Sequence, residues 1–305
     1  MILMSIEKFK GIVVASPTPF DSSRNIDTDG TKRMLNYFID SGLDGIFLLS
    51  STGEYFSITQ EMKEKFIGIS VAEVEGRLPL MVMVSDACLE NVLMNIDRYS
   101  RKKIDAVVLT PPYYYGYSQD ELYEFFTSAA DRSPVPLLLY NQPMRLPSSI
   151  EVELAEALSK HNNIIGIKDT STDAIRLLKL LRAFDAREDF NVYSGTEGLA
   201  AYAALFGGNF VYALAAVRPD IFKEMLKRGR QKDIEGIMAL QDKINKLSLL
   251  FNTIKKGYKD SFSNFTHCIK AALKLKGICN EYNSQLGFEL DDQDYERVRK
   301  VLDQI

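Results

Sequence analysis

The stretch Ile164-Ile165-Gly166-Ile167-Lys168-Asp169-Thr170 is the most informative about the fold, because it is an apolar run with a lysine near its end. A parallel strand covered on both faces is a near-continuous aliphatic run, and burying a lysine at its tip is costly. A second run, Pro136-Leu137-Leu138-Leu139-Tyr140-Asn141, ends in a comparable way on a phenol. A lysine and a tyrosine at neighbouring strand tips predict imine chemistry on a carbonyl substrate. The alternative for Lys168 is an ordinary ion pair with Asp169.

Aliphatic runs of this kind recur about every thirty residues and alternate with longer amphipathic segments. They span residues 11–16, 45–49, 78–84, 106–110, 136–140, 164–168, 191–195 and 209–214. Eight strands, each followed by a helical pattern, predict an α/β fold, namely a (β/α)8 TIM barrel. A doubly wound open sheet is the alternative, but no GxGxxG turn follows any of the runs.

Helix signals fit the same pattern. Asp27 or Asp29 begins the first helix, Thr59 precedes the second, and Ser118 with Glu121 forms a capping box. From Pro219 onward the pattern is helical only, with breaks near Gly257 and over residues 277–287. We therefore predict a barrel over residues 1–230 and a small helical region over 231–305 that packs on it.

Composition excludes several classes of protein. Of 305 residues, 46% are hydrophobic and 26% charged, with a net charge of -4 and no basic stripe, so we expect no nucleic-acid partner. No apolar stretch approaches the roughly 20 residues that span a bilayer, and charged residues follow the first five at once, so we expect neither membrane association nor a signal peptide. Cys88, Cys268 and Cys279 form no CxxC pair and are typical of reduced thiols in a cytoplasmic protein.

Chemistry in a barrel of this type sits where strands end. Ser50-Ser51-Thr52-Gly53-Glu54 follows the second run, and its hydroxyls and backbone N–H groups suit a small carboxylate. The alternative is an ordinary N-cap cluster. After the fourth run, Pro111-Pro112-Tyr113-Tyr114-Tyr115 carries three tyrosines, at least one of which we expect in interface packing.

Two further strand ends carry polar residues. Arg145 follows Tyr140 by five residues, and its guanidinium suits an anionic second substrate; a surface salt bridge is the alternative. Ser194-Gly195-Thr196-Glu197-Gly198 either lines the same barrel mouth or forms a plain turn.

Metal chemistry is disfavoured by the histidines. The chain has two, His161 and His267, and neither follows a strand run, so the imidazole cluster of a zinc-dependent aldolase is missing. We expect no metal and no cofactor, which leaves a covalent route. An amine attacks a ketone only when neutral, and a water-poor site lowers the pKa of a lysine toward that state. Tyrosine hydroxyls linked through a serine or threonine then relay protons.

With these residues placed, the chain resembles the dihydrodipicolinate synthase / N-acetylneuraminate lyase family, the class I pyruvate-dependent aldolases. The resemblance extends from Gly11 through the last strand run, and the helical tail fits as well. It rests on motifs in matching order: a hydroxyl pair before Gly-Glu, Pro-Tyr-Tyr, Tyr-Asn-x-Pro and Gly-Ile-Lys-Asp-Thr.

The resemblance implies a role for each matching residue. Lys168 corresponds to the Schiff-base lysine, and Tyr140 to the phenol that shuttles protons and orients pyruvate. Ser51 and Thr52 correspond to the pair that holds the pyruvate carboxylate, with Ser51 also in the proton relay. Tyr114 corresponds to a relay tyrosine that crosses into a neighbouring subunit's site, which implies a homo-oligomer, at least a dimer and commonly a tetramer.

Differences within the family favour one substrate. Arg145 matches the arginine that grips the carboxylate of aspartate semialdehyde in the synthases. Glu197 is followed by Gly198 rather than by the second acid of sialic-acid lyases, and Tyr212 replaces a small aliphatic residue, where it would narrow the pocket or offer a hydroxyl. We expect Thr170, Gly195, Glu197 and Tyr212 to complete the binding site.

The predicted function is therefore a Schiff-base synthase that joins pyruvate and aspartate semialdehyde, without the lysine feedback site of regulated synthases. The alternatives are an N-acetylneuraminate lyase, a 2-keto-3-deoxy sugar acid aldolase, or a catalytically silent barrel that binds a keto acid.

Overall fold

Eight parallel strands pair in chain order and close into a barrel, β1 with β8, in the computed structural model of the protein. The structure describes residues 6–256, 262–284 and 288–305. The strands are β1 (Ile12–Ala15), β2 (Gly45–Leu48), β3 (Leu80–Met83), β4 (Ala106–Leu109), β5 (Leu137–Asn141), β6 (Ile164–Asp169), β7 (Asn191–Ser194) and β8 (Asn209–Tyr212). Each overlaps one predicted run, so the TIM barrel is confirmed and the open sheet is wrong.

A helix follows every strand. These helices are α1 (Thr28–Asp40), α2 (Gln60–Val74), α3 (Leu89–Ser100), α4 (Gln119–Arg132), α5 (Val152–Leu158), α6 (Ala174–Ala183), α7 (Ala200–Leu205) and α8 (Pro219–Gln231). The predicted caps are present: the Asp27 side chain accepts from the Gly30 N–H at 2.9 Å, Thr59 accepts from the Met62 N–H, and Ser118 forms its capping box. These caps satisfy N–H groups that the helices leave without a partner.

Beyond the barrel the described chain is helical, as expected. It forms α9 (Ile234–Ser248), α10 (Phe262–Leu275) and α11 (Asp292–Leu302), and Gly277, two residues after the end of α10, has a φ of 71°. The predicted break near Gly257 lies outside the described residues, whereas the described part of the predicted break over 277–287, residues 277–284, is not helical, as expected. Helix α8 continues past residue 230, so it crosses the boundary predicted there. The division into two parts therefore stays a prediction.

Register decides which side chains face the barrel interior. Tyr140 on β5, Lys168 on β6 and Tyr193 on β7 are paired neighbours, and side chains in register lie on the same side of a sheet. The Tyr140 ring meets Phe47 of β2 across the barrel, edge to face at 6.1 Å between centroids. These residues therefore point inward, while the next position along each strand points toward the helices.

Candidate active site

Lys168 lies inside the barrel at the end of β6, where only 4% of its surface is exposed. Its Nζ is 4.1 Å from the centre of the Tyr140 ring and 5.2 Å from that of Phe47. The structure thus brings together the lysine and the tyrosine that the sequence placed at neighbouring strand tips. The amine lies against two aromatic rings and is almost fully shielded from solvent.

Asp169 does not pair with Lys168. Its Oδ2 accepts from Arg176 Nε and from Asn141 Nδ2, both at 2.8 Å, on the outer side of the barrel. Its Oδ1 accepts from the Ser171 N–H at 3.0 Å. Successive residues of a strand point to opposite faces, so Lys168 and Asp169 are separated by the sheet itself. The ion-pair alternative is wrong, and within the described chain no carboxylate lies at ion-pairing distance from the amine.

The Tyr140 phenol has an altered acidity. Burial raises its pKa, but the positive charge of Lys168 and hydrogen bonds from Ser51, Thr170 and Lys168 more than offset burial and hold the pKa below its ordinary value. A phenol with a lowered pKa releases its proton more readily than a free tyrosine does. It is therefore suited to general acid–base chemistry on a group that reacts with the Lys168 amine.

The loop after β2 holds the predicted carboxylate-binding pair in a constrained backbone. Leu49 and Glu54 both adopt the left-handed conformation, with φ of 56° and 60°. A Cβ on Gly53 would lie 3.0 Å from the Leu49 Cα, which requires glycine there. Such backbone strain persists only where its surroundings over-determine it. Ser51 is half-buried and Thr52 is 5% exposed, so this turn holds Thr52 inside the protein and leaves Ser51 partly accessible.

Glu54 ties this loop to the C-terminal helices. Its Oε1 accepts from Lys270 Nζ of α10 at 2.5 Å, and its Oε2 accepts from the Ser284 N–H at 2.8 Å. Lys270 is fully buried and also donates to the Tyr282 carbonyl. Our sequence interpretation missed this pair, because its partners are 216 residues apart and no local pattern joins them.

A cavity of about 370 Å³ opens over the strand ends. The residues that line it include Ser51, Met83, Thr110, Tyr140, Gln142 and Arg145. Ser51, Tyr140 and Arg145 were predicted. Thr110 and Gln142 were not, although both continue the inward-facing alternation of β4 and β5 and a strict count by twos from Tyr140 would have found Gln142.

Tyr114 points away from the cavity of its own chain. Its side chain is 82% exposed, its φ is 87°, and its ring packs edge-on against Tyr115 at 4.9 Å. The tyrosine of this run that lines the cavity is Tyr113, which packs against Phe56. An exposed Tyr114 is compatible with a role in a neighbouring subunit and gives it none in its own chain.

Gly195 and Thr170 support Lys168 rather than line the cavity wall. A Cβ on Gly195 would lie 2.8 Å from Lys168 Cε and 2.2 Å from the Thr170 Oγ1. The absence of a side chain at 195 therefore leaves the space that the lysine stem occupies. Thr170 follows β6 directly, and its N–H donates to the Asn141 carbonyl at 3.0 Å.

Glu197 is committed to the backbone after β8. Its Oε1 accepts from the N–H groups of Ala213 and Leu214 at 3.0 and 3.2 Å. Burial raises the pKa of this carboxyl, against the lowering effect of those N–H groups and of Lys168. Glu197 thus fixes the last loop of the barrel mouth and is a support for the site.

Tyr212 faces the helices and not the pocket. Its ring stacks on Phe210 at 4.8 Å and lies 5.2 Å from Phe222 of α8. Phe210 and Tyr212 are two residues apart on β8, so both point to the outer side. The expectation that Tyr212 narrows the pocket or offers it a hydroxyl is wrong; the identity of the residue was visible in the sequence, but the side it faces was not.

The described residues give no support for a metal site or a membrane-spanning helix. No cluster of three or more His, Cys, Asp or Glu side chains there is arranged to hold a metal ion. No helix there has the length and apolarity to cross a membrane.

Known proteins resemble this chain in both sequence and fold. A family model described as the dihydrodipicolinate synthetase family matches residues 8–305. The 4-hydroxy-tetrahydrodipicolinate synthase of Flavobacterium psychrophilum is 31% identical over 249 residues, 81% of this chain and 84% of that protein. That of Ligilactobacillus salivarius is 33% identical over 79% of this chain and 83% of its own. Among solved structures, the dihydrodipicolinate synthase of Bacteroides thetaiotaomicron superposes with a TM-score of 0.90 at 26% identity, covering 97% of this chain and 98% of the other.

Proposed function

This chain belongs to the dihydrodipicolinate synthetase family, and from that premise we propose that it is a 4-hydroxy-tetrahydrodipicolinate synthase, a lyase that joins pyruvate to aspartate semialdehyde through a Schiff base on Lys168. The observation that carries the proposal is the environment of this lysine. It is buried inside the barrel, has no carboxylate partner in the described chain and lies against Tyr140.

The first step forms the imine. The neutral amine of Lys168 adds to the ketone carbon of pyruvate and gives a carbinolamine. The carbinolamine oxygen leaves as water with one proton from the amine and one from Tyr140, and the second amine proton stays on the iminium nitrogen. Tyr140 suits this step because its pKa is held below the ordinary value, and Ser51 links its hydroxyl to the cavity.

The second step forms the carbon–carbon bond. Loss of a proton from the methyl group of the iminium gives an enamine, which attacks the aldehyde carbon, and the aldehyde oxygen takes up a proton. Attack on the imine carbon by water or by an amine of the product then returns the lysine. Ser51 and Thr52 hold the pyruvate carboxylate in this scheme, and Arg145 binds the carboxylate of the aldehyde.

The same scheme gives Tyr114 its role in trans. Because Tyr114 projects from its own chain, we propose that it completes the proton relay of a second copy, in a homo-oligomer that is a dimer or tetramer. Gly195, Thr170 and Glu197 position the catalytic groups. We expect the enzyme to act in the cytoplasm, where thiols such as Cys88 stay reduced.

Borohydride reduction tests the covalent step. Incubation with pyruvate and borohydride should give one reduced adduct, which peptide mapping assigns to Lys168 and not to Lys270, the other buried lysine. The adduct should be missing in Lys168→Ala. No adduct in the wild type, or one that persists in Lys168→Ala, would leave the silent keto-acid-binding barrel as the better account.

A coupled assay tests the second substrate. We expect turnover of aspartate semialdehyde, and in Arg145→Ala an apparent KM for that aldehyde raised by about tenfold with little change for pyruvate. An unchanged KM in Arg145→Ala would remove the main support for this aldehyde. It would favour a 2-keto-3-deoxy sugar acid or N-acetylneuraminate as the natural substrate.

A further inference from the structure

Gln142 is a polar side chain in the cavity that the chemistry above does not use. It follows β5 by one residue and, by the alternation of the strand, lies on the same inner side as Tyr140. Its side chain is only 9% exposed, and its Oε1 is buried without a hydrogen-bond partner among the described residues. Its backbone carbonyl accepts from the N–H groups of Arg145 and Leu146, so the turn that holds Gln142 also presents Arg145.

An unpaired buried acceptor is costly. Leaving such a group without a partner costs about 1–3 kcal/mol, and native proteins retain few of them. The Thr110 hydroxyl, which lines the same cavity, is also buried and without a partner. Two polar groups left unpaired on one cavity indicate that a ligand, rather than the protein, supplies their hydrogen bonds.

The other buried polar groups of the cavity already have a hydrogen-bond partner or a proposed catalytic role. Tyr140 and Ser51 serve the keto acid in the proposed chemistry. Glu54 is saturated by Lys270 and the Ser284 N–H. Of the described residues that line this cavity, Gln142 and Thr110 are the ones whose buried polar atoms have no partner, and both share the cavity with Arg145.

We propose that Gln142 is a specificity-determining residue, which accepts a hydrogen bond from an ammonium or hydroxyl group on the aldehyde substrate. Arg145 attracts the carboxylate of that substrate, and a carboxamide oxygen one turn away accepts from an N–H or O–H group near it. This inference rests on the proposed function, because it concerns the aldehyde that the enamine attacks. It adds the residue of this chain that recognises a donor group of that aldehyde beside its carboxylate.

Three aldehydes separate the possibilities. Aspartate semialdehyde carries an ammonium group, its 2-hydroxy analogue carries a hydroxyl, and succinic semialdehyde carries neither. We expect the wild type to prefer at least one donor-bearing aldehyde over succinic semialdehyde by on the order of 10- to 100-fold in kcat/KM. In Gln142→Leu, which keeps the volume and removes the amide, that preference should fall to within about threefold of unity. The donor-bearing aldehyde whose kcat/KM falls more in Gln142→Leu identifies the donor group, ammonium or hydroxyl, that Gln142 binds.

Met83→Leu is the matched control, since Met83 lines the same cavity with an apolar side chain. It should change kcat/KM for all three aldehydes by one common factor. If Gln142→Leu also shifts all three together, or if the wild type does not favour a donor-bearing aldehyde, the inference is overturned and Gln142 only packs.

Adduct formation with pyruvate keeps this outcome distinct from the proposed function. Gln142→Leu should form the reduced Lys168 adduct as the wild type does. A wild type that forms the adduct and turns over the aldehydes without discriminating among them overturns the role of Gln142 alone. A wild type that forms no adduct overturns the proposed function itself.

Discussion

Two lysines are buried among the residues that the structure describes, and their surroundings are opposite. Lys168, inside the barrel, is 4% exposed, and its nearest groups are the rings of Tyr140 and Phe47. Lys270, on α10, is fully buried and donates to the Glu54 carboxylate and to a backbone carbonyl. One amine has a counter-ion and the other has aromatic faces.

The difference shows that burial by itself does not make a lysine a nucleophile. Burial lowers the pKa of Lys270, and Glu54 opposes that shift through its charge and its hydrogen bond. The pair therefore serves to hold the loop after β2 against α10. Lys168 has no carboxylate beside it in the described chain, and its nitrogen lies against the Tyr140 ring inside the barrel, so it is not committed to an ion pair and is placed to attack a carbonyl. Glu54 connects the two, because it binds Lys270 and lines the cavity over Tyr140.

The largest effect should come from Lys168→Met, which removes the amine and keeps the stem. Synthase activity should fall on the order of 10³-fold or more, because no other amine can form the imine. The free energy of unfolding should stay equal or rise, since no ion pair is broken and an amine leaves an apolar site. Steady-state assays and urea unfolding measure both quantities, and a loss of several kcal/mol in stability would show that Lys168 has a structural partner.

Lys270→Met tests the other half of the comparison. Removing the amine leaves Glu54 buried without its counter-ion, so we expect a loss of about 3–5 kcal/mol in the free energy of unfolding. The double variant Glu54→Gln/Lys270→Met should recover at least half of that loss, because neither buried charge remains. Denaturant unfolding of the single and double variants provides the measurement. A single variant as stable as the wild type would mean that the pair contributes nothing.

Gly195→Ala should act on Lys168 through packing. The new Cβ would lie 2.8 Å from Lys168 Cε and 2.2 Å from the Thr170 hydroxyl, so the lysine stem must move. We expect the rate of borohydride-trapped adduct formation to fall by on the order of tenfold, with a stability loss of about 1–3 kcal/mol.

Gly198→Ala is the matched control, since a Cβ there has no heavy atom within 4 Å. It should leave both quantities nearly unchanged. Equal effects of the two substitutions would mean that the contact between Gly195 and the lysine stem has no part in catalysis.

The fold and the proximity of Lys168 to Tyr140 could be predicted from the sequence, because both depend on local signals. Eight apolar runs at regular spacing predict a closed barrel, and the rule that chemistry sits at strand ends selects Lys168 and Tyr140. Asp27 and Ser118 indicated helix starts for the same reason, because a capping side chain bonds to an N–H group only three residues further along the chain.

What was missed depends on distant pairing or on the side that a residue faces. Glu54 and Lys270 meet only after the barrel closes and α10 packs against it. Tyr212 was expected in the pocket, but its place in the alternation of β8 directs it toward Phe222. Gln142 was overlooked because a glutamine after a strand resembles any polar loop residue until its burial is known.

The smallest effect concerns pH and the surroundings of Lys270. His267, one turn before Lys270 on α10, is 1% exposed and stacks on Phe288 at 4.5 Å. Burial, and then the charge of Lys270, lower its pKa to about 4, against the opposing pull of Glu54. Above pH 6.5 the imidazole is neutral in both the folded and the unfolded chain. As the pH falls from 6.5 toward 4, the unfolded chain takes up a proton and the folded chain does not, so stability declines by up to about 1.4 kcal/mol per pH unit.

Substitution of His267 isolates that contribution. In His267→Phe the stability curve measured between pH 7 and pH 5 should be flatter than that of the wild type, because the variant lacks the group that the unfolded chain protonates. Other groups titrate equally in both proteins and cancel in the difference. In Lys270→Met the wild-type slope should weaken, since the repelling ammonium is gone and the pKa of His267 rises toward its ordinary value. Parallel curves for the wild type and His267→Phe would show that the pKa of His267 in the fold equals its ordinary value, so that neither burial nor Lys270 lowers it.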